Sequence, residues 1–156
     1  MLRELEKGRR ILNIDETWIG EMDFRRMKWR RRREQNNVST KEVSPRLSVI
    51  AGVDNYGRFY WTVTQANTDH EVFCAFVSHL VTVLNAEDAN WRASTTFLLD
   101  NASYHHHEMV LNQLKLQGID HLFLGPYSFA GAPIEMVFGA LKRTHLNSHH
   151  LATGKK

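Results

Sequence analysis

STTFLLD, residues 94–100, is a short stretch that becomes strongly apolar at Phe97, Leu98 and Leu99 and ends in a carboxylate. Its composition predicts a strand that is buried on both faces. HHHEMVLNQLKLQ (105–117) follows and predicts a helix that ends at Gly118, and IDHLFL (119–124) predicts the next strand. This strand–helix–strand order indicates that the two strands run parallel in one sheet.

The chain before this unit predicts antiparallel strands. A first strand is expected at ILNIDETWI (11–19), and the β-rich runs RLSVIAGV (46–53) and RFYWTVTQ (58–65) are joined by the turn sequence DNYG. A helix should start after Thr68, with Thr68 as its cap and Glu71 three residues later, as in a capping box.

The last element is predicted from PYSFAGAPIEMVFGALKRTHL (126–146), which becomes helical at Pro133. Its apolar face recurs with helical spacing at Ile134, Val137, Phe138 and Leu141. The element order is therefore β-β-β-α-β-α-β-α. We predict an α/β fold with a mixed sheet, in which three antiparallel strands come first, parallel strands follow, and helices flank the faces.

Composition limits the class of protein. A chain of 156 residues with 42% apolar residues fits one globular domain with a real core. The single cysteine, Cys74, excludes an internal disulfide and favours a reducing intracellular compartment. No apolar run is long enough to cross a membrane.

The net charge of +3 conceals one local feature, RRMKWRRRR at residues 25–33. Seven of these nine residues are basic, and the rest of the chain has 13 basic against 17 acidic residues. A concentrated basic run with an embedded tryptophan indicates contact with a polyanion such as a nucleic-acid backbone. A solvated loop or a nuclear localisation signal explains the same run.

Three carboxylates lie where ligands are expected. Asp15 is inside the first strand, Asp100 ends the strand at 94–100, and Glu135 is in the first turn of the last helix. Carboxylate oxygens suit hard cations such as Mg²⁺ or Mn²⁺, and two ions about 3.5–4 Å apart can promote phosphodiester chemistry. Taken singly, each acid has an ordinary structural explanation: a buried strand residue, a turn cap and a helix-start glutamate.

The segments NIDET, LLDNASYHH and PYSFAGAPIEMVFGALKR resemble the three catalytic blocks of the mariner-type DDE/D transposases and their bacterial insertion-sequence relatives. Thirty-four residues separate Asp100 from Glu135, a spacing typical of that superfamily. The resemblance covers roughly residues 10–147. It implies a ribonuclease-H-like fold in which Asp15, Asp100 and Glu135 form a catalytic triad that binds Mg²⁺, with Mn²⁺ as a substitute and two ions in all.

The resemblance also implies a function. Residues 1–147 would form the catalytic core of a transposase that cleaves DNA and transfers strands, and 148–156 would be a tail. Its partners would be transposon ends, target DNA and a second copy in a homodimer. Its location would be intracellular: the nucleus in a eukaryote, or the cytoplasm or nucleoid in a bacterium. Two alternatives remain open: an inactive, domesticated DNA-binding protein, and a ribonuclease-H-like nuclease without strand transfer.

The sequence departs from the family in two places. The family usually reads Ser-Pro-Asp-Leu-Asn-Pro-Ile-Glu before the last helix, whereas this chain reads SFAGAPIE, with Phe129 and Ala132 in place of the first proline and the asparagine. The family also carries an N-terminal helix-turn-helix region. The chain starts about ten residues before the first catalytic strand, so weak or lost recognition of transposon ends is expected.

Several further residues are candidates. Asn101 is expected to orient Asp100, and His105 to support the site, although the histidine triplet at 105–107 is expected mainly at the surface. Glu16 should point to the opposite face of its strand from Asp15. The tryptophans expected in core or half-buried positions are Trp18, Trp61 and Trp91. The residues expected to contact DNA are Arg25, Arg26, Lys28, Trp29, Arg30, Arg31, Arg32 and Arg33.

Overall fold

A computed structural model describes residues 8–19, 47–125 and 132–142. These residues form one mixed sheet with helices packed on it. The strands are β1 (Arg10–Ile19), β2 (Leu47–Asp54), β3 (Phe59–Thr64), β4 (Thr95–Leu99) and β5 (Asp120–Phe123). The helices are α1 (His70–Glu87), α2 (Trp91–Ser94), α3 (Glu108–Leu116) and α4 (Pro133–Ala140), with a 3₁₀ turn (Ser103–His106) before α3.

The order of strands across the sheet is β3-β2-β1-β4-β5. The first three strands pair antiparallel, and β4 runs parallel to both β1 and β5. The prediction of antiparallel strands followed by parallel ones is therefore confirmed. β1 lies at the centre, so its residues have neighbours on both sides.

The two faces of β1 have different roles because side chains alternate along a strand. Leu12 and Ile14 join the main core, which packs against α1 and α3. Asn13 and Asp15 lie on the opposite face, which α4 covers. The larger members of the main core are Phe73, Phe76, Leu80, Leu84, Trp91, Phe97, Leu99 and Leu114.

Two helix starts differ from the predictions. Asp69 rather than Thr68 caps α1, because its carboxylate accepts a hydrogen bond from the Val72 amide at 2.9 Å. The Thr68 hydroxyl is engaged instead with the Ser48 hydroxyl of β2. At the other helix, the histidine triplet is not helical: its first two residues belong to the 3₁₀ turn, and His107 caps α3.

The predicted turns are confirmed at two glycines. Gly118 follows α3 with a φ of 66°, which a side chain would strain, and the Ile119 amide bonds back to Leu114 at 2.9 Å. Gly57, in the turn between β2 and β3, has a φ of 83°. The short helix α2 was not predicted, because four residues are too few to show a helical period.

The tryptophan predictions are partly wrong. Trp91 is buried and Trp18 is half-buried, but Trp61 is 62% exposed. Trp61 lies on the edge strand β3, where it lines an apolar groove of about 390 Å³ beside α4 together with Phe59 and Val63. The side chains of β3 alternate between the two faces of the sheet as expected, but no described element covers the face of the sheet at Trp61.

Several predictions concern residues that lie outside the described ranges. They are the basic run at 25–33, the loop with Phe129, and the tail at 148–156. Among the described helices, none combines the length and the apolar character that a membrane span requires.

Candidate active site

The fold brings the strands that carry Asp15 and Asp100 together at one end of the sheet. Leu99 of β4 is paired with Ile14 of β1, so Asp100, the next residue, lies beside Asp15. Asp100 also follows the carboxyl end of a parallel strand, where ligand sites of α/β sheets are usually found. Two of the three predicted acids therefore come from neighbouring strands.

Asp15 is half-buried, and one of its oxygens, Oδ1, accepts a hydrogen bond from the Glu16 amide at 2.8 Å. Burial raises the pKa of Asp15 from 3.8 to about 6, the Glu16 amide opposes this shift, and the charges of Asp100 and Glu135 add to it. Asp100 and Glu135 thus both lie close enough to Asp15 for their charges to act on it. A carboxylate in this position gains from a nearby cation.

Asp100 has a different environment. Its Oδ1 lies 2.7 Å from Nδ1 of His105 and accepts the Ala102 amide at 2.9 Å. Burial acts to raise the pKa of Asp100, but the hydrogen bonds from His105 and Ala102 outweigh it, and the net pKa is lowered. Both contacts use Oδ1, which leaves Oδ2 without a hydrogen bond to any described residue.

His105 corrects the expectation of a surface histidine. Its side chain is fully buried, because the 3₁₀ turn directs it inward against Phe73 and Tyr104, each with a ring-centre distance of 4.4 Å. It binds Asp100 through one ring nitrogen, while the buried Nε2 has no partner among the described residues. His105 therefore holds the Asp100 carboxylate from the core side of the sheet.

Asn101 connects two loops at the same end of the sheet. Its Nδ2 donates to the Leu124 carbonyl after β5, and its Oδ1 lies 3.2 Å from Nε2 of His106. The backbone reinforces this link, because the Leu124 amide donates to the Leu99 carbonyl at 2.8 Å. Asn101 thus fixes the loop that carries Asp100, and a direct role towards the carboxylate stays a prediction.

Glu135 is exposed in the first turn of α4, as predicted from the sequence. Its position depends on Ile134 and Phe138, which are buried against Val49 and Ala51 of β2. The start of the helix is also fixed by Asn13, whose Oδ1 accepts the Ile134 amide at 3.1 Å. No role is predicted for Asn13 from the sequence, although an amide between Leu12 and Ile14 in a buried strand is a visible signal.

Glu16 faces the main core with Leu12 and Ile14, so the prediction that it points away from Asp15 is supported by the strand alternation. The pKa of Glu16 is raised from 4.5 to about 8, mainly by burial and in smaller part by the charges of Asp15 and Asp100. One of its oxygens is buried without a described partner. Glu16 is therefore a fourth carboxylate near the predicted triad, on the other face of β1 from Asp15.

The acids supply the type of ligand atom that a hard divalent cation binds, but within the described part of the chain they do not form a complete set of ligands. No three His, Cys, Asp or Glu side chains within residues 8–19, 47–125 and 132–142 are close enough together to hold a metal ion. The acids nevertheless offer oxygen donors of the type that Mg²⁺ and Mn²⁺ prefer. The pKa of Asp15 is raised mainly by burial and further by the charges of Asp100 and Glu135, and a bound cation would oppose both effects.

Solved structures share this fold. The chain matches the Mos1 mariner paired-end complex with Mn with a TM-score of 0.72 and 18% identity, over 94% of this chain and 46% of that one. It matches the catalytic domain of the Mos1 mariner transposase with a TM-score of 0.65 and 19% identity, over 90% and 65%. The sheet is therefore ribonuclease-H-like, as expected, and the chain spans about half the length of the transposase in the complex.

The sequence itself gives the family. No curated protein sequence matches the chain significantly. A family model described as DDE superfamily endonuclease matches residues 10–156, which is nearly the whole chain. The resemblance drawn from the three acidic blocks is confirmed, and this chain belongs to the DDE superfamily of endonucleases.

Proposed function

We propose that the chain is the catalytic part of a DNA transposase, which uses divalent cations to cleave DNA and to transfer the cut strand. One observation carries this proposal. Burial, together with the nearby charges of Asp100 after β4 and Glu135 in α4, raises the pKa of Asp15 on β1 to about 6. Groups with such perturbed pKa values are concentrated at functional sites.

Each acid has a role in the proposed reaction. Asp15 and Asp100 each engage Oδ1 in the fold, so that Oδ2 of each stays available for a cation. Glu135 reaches the same region from the other side, on the first turn of α4. When bound between such carboxylates, a pair of Mg²⁺ or Mn²⁺ ions would activate the attacking oxygen and stabilise the leaving one.

DNA is the proposed substrate. Similar structures include a paired-end complex with Mn, a pre-cleavage transpososome and a paired-end complex with a left transposon end, all of Mos1. A homodimer is part of the proposal, since two DNA ends must be brought together. Contact between DNA and the basic residues at 25–33 stays a prediction, because this run lies outside the described residues.

Mn²⁺ binding and plasmid nicking by the 156-residue chain test the proposal. Asp15→Asn, Asp100→Asn and Glu135→Gln should each weaken Mn²⁺ binding in calorimetry by at least about tenfold, since each removes an anionic ligand. Each should also abolish Mn²⁺-dependent nicking while circular dichroism shows an unchanged fold. The matched control is Glu71→Gln, an exposed first-turn glutamate of α1 that lies outside the acidic cluster.

Several results would contradict the proposal. If the three variants bind Mn²⁺ as tightly as wild type, the acids are not its ligands. If wild type binds no Mn²⁺ and nicks no DNA, the chain is an inactive relative. Faster cleavage of an RNA–DNA hybrid than of duplex DNA, without strand transfer, would favour a ribonuclease H instead.

A further inference from the structure

Asn13 is a buried amide in the middle of β1, with 2% of its surface exposed. Its Nδ2 donates to the Leu98 carbonyl of β4 at 3.2 Å, and its Oδ1 accepts the Ile134 amide of α4 at 3.1 Å. A single side chain therefore joins three elements of the fold. A buried amide is retained in a core only when such hydrogen bonds satisfy it.

The start of α4 depends on this contact. The first amides of a helix have no partner within the helix and need one from elsewhere. Pro133 has no amide proton, and the Glu135 amide is bonded to the Ala132 carbonyl at 3.1 Å. Ala132 occupies the cap position and offers no side-chain acceptor. The Ile134 amide is thus satisfied by Asn13, so that β1 caps a helix more than 100 residues away in sequence.

The three partners of this junction are the three elements that carry the acids. Asn13 and Asp15 are two residues apart and lie on the same face of β1. Leu98 precedes Asp100 by two residues, and Ile134 directly precedes Glu135. Asn13 and its two hydrogen-bond partners are therefore each only one or two positions in sequence from a predicted ligand.

We propose that Asn13 is the positioning residue of the acidic site. Through the Ile134 amide it sets how far Glu135 stands from Asp15 and Asp100, and so how readily the three carboxylates share a cation. This inference rests on the proposed function for its metal-binding consequence. Its structural part, the capping of α4 by β1, is measurable without metal.

Amide hydrogen exchange and Mn²⁺ titration of the full chain test the inference together. In Asn13→Ala, exchange of the Ile134 amide should become about three- to tenfold faster, as expected for loss of one hydrogen bond. The Mn²⁺ dissociation constant should rise by at least about threefold, which corresponds to part of one ligand contact. Asn13→Asp keeps the acceptor oxygen but loses the Nδ2 donor to the Leu98 carbonyl, so it should keep the protection of Ile134 while lowering thermal stability.

Asn55→Ala is the matched control. The Asn55 amide also links separate backbone segments, since it accepts the Ile11 amide at 2.9 Å and donates to the Arg9 carbonyl at 3.4 Å, at the other end of β1. This variant should lower thermal stability without changing Ile134 exchange or Mn²⁺ affinity. If Asn13→Ala does not fold, Asn13→Ser replaces it, because the serine side chain is one bond too short to reach Ile134.

The outcomes are separable. Unchanged Ile134 exchange in the folded Ala or Ser variant overturns the capping role. Faster exchange with unchanged Mn²⁺ affinity shows that Asn13 is only structural and overturns the positioning role. Absence of Mn²⁺ binding by wild type overturns the proposed function and, with it, the metal-binding part of this inference.

Discussion

The two ends of β1 hold buried charge in opposite ways. At the start of the strand, Arg10 lies 2.6 Å from the fully buried carboxylate of Asp54. At the far half, Asp15 and Glu16 follow one another, and no Lys or Arg within the described residues pairs with either. The same strand thus contains a balanced ion pair and an unbalanced acidic cluster.

The balanced end is a closed network. The Arg10 guanidinium also bonds the Tyr60 hydroxyl, which donates to Glu87 at 2.7 Å. The second oxygen of Asp54 accepts the amides of Tyr56 and Arg58 in the turn after β2. Asp54 therefore has a partner for each oxygen, and its charge serves to fix the turn and the sheet.

The paired charges at one end of β1 and the unpaired acids at the other indicate different roles for the two ends. Breaking a buried ion pair is costly because it leaves an uncompensated charge, whereas unpaired acids already bear that cost in the folded protein. A fold that keeps such acids without a partner loses stability at that place. Their retention at one end of the sheet is therefore better explained by binding than by folding.

The largest expected effect is at the balanced end. Arg10→Met should lower the free energy of unfolding by about 3–5 kcal/mol, because Asp54 is then left buried and unpaired. Denaturant unfolding monitored by circular dichroism measures this change. Adding Asp54→Asn to Arg10→Met should recover part of the loss, since the amide oxygen still accepts from the turn.

Arg58→Met is the control for this experiment. Arg58 bonds Glu87 at 3.1 Å, but its side chain is 60% exposed, so its removal should change stability little. If Arg10→Met and Arg58→Met lower the free energy of unfolding by the same amount, the buried Arg10–Asp54 pair contributes no more stability than an exposed pair.

The second effect is at the acidic end and has the opposite sign. At pH 8 without metal, Asp15→Asn should raise the free energy of unfolding by about 1–3 kcal/mol, because it removes a charge that the fold disfavours. Since the pKa of Asp15 is about 6 when folded and its ordinary value is 3.8, the folded state retains a proton that the unfolded state releases. Wild-type stability should therefore fall as the pH rises from about 4 to 6, and Glu16, with a pKa of about 8, should extend the fall.

Urea unfolding at a series of pH values measures this dependence. Asp15→Asn should reduce the slope between about pH 4 and 6, and Glu16→Gln should reduce it over the wider range from about pH 4.5 to 8. Glu108→Gln, which changes an exposed glutamate in the first turn of α3, should leave the curve unchanged. A loss of stability in Asp15→Asn at pH 8 would show that the carboxylate is balanced after all.

The smallest effect concerns Asp100, which stands between the two cases because His105 holds it. In His105→Phe the pKa of Asp100 should rise from its lowered position towards the ordinary value, because burial is no longer outweighed by the His105 bond. Carboxyl ¹³C chemical shifts followed by NMR over pH measure the change. His79→Phe, at an exposed position of α1, should not alter this titration. If the pKa of Asp100 is unchanged in His105→Phe, His105 does not lower it.

Much of the fold followed from local patterns in the sequence. The apolar run at 94–100, the turn DNYG and the glycine after α3 were enough to predict β4, the hairpin and the end of the helix. The predicted start of a helix was wrong where a tertiary contact determined which of two neighbouring polar residues caps it. Thr68 was a plausible cap, but its engagement with Ser48 left Asp69 to cap α1.

The site was only partly predictable, for the same reason. The three acids were recognisable from the type of element and the spacing, and their roles as ligands stay predictions. The buried position of His105 was not visible, because it depends on a 3₁₀ turn that a run of histidines does not reveal. Asn13 was missed because its importance lies in partners far away in sequence, which no periodicity reports.

The hydrogen bond between Asn13 and Ile134 spans 121 positions of the chain, and this has a consequence for folding. Contacts between residues so distant in sequence form late, because a long loop must close first. The acids of β1 and β4 are synthesised well before α4. A growing chain therefore contains the first two acids without the third, and the three acids come together only when the last helix docks. Under the proposed function, the order of synthesis would thus keep the acidic site incomplete until α4 packs on the finished sheet.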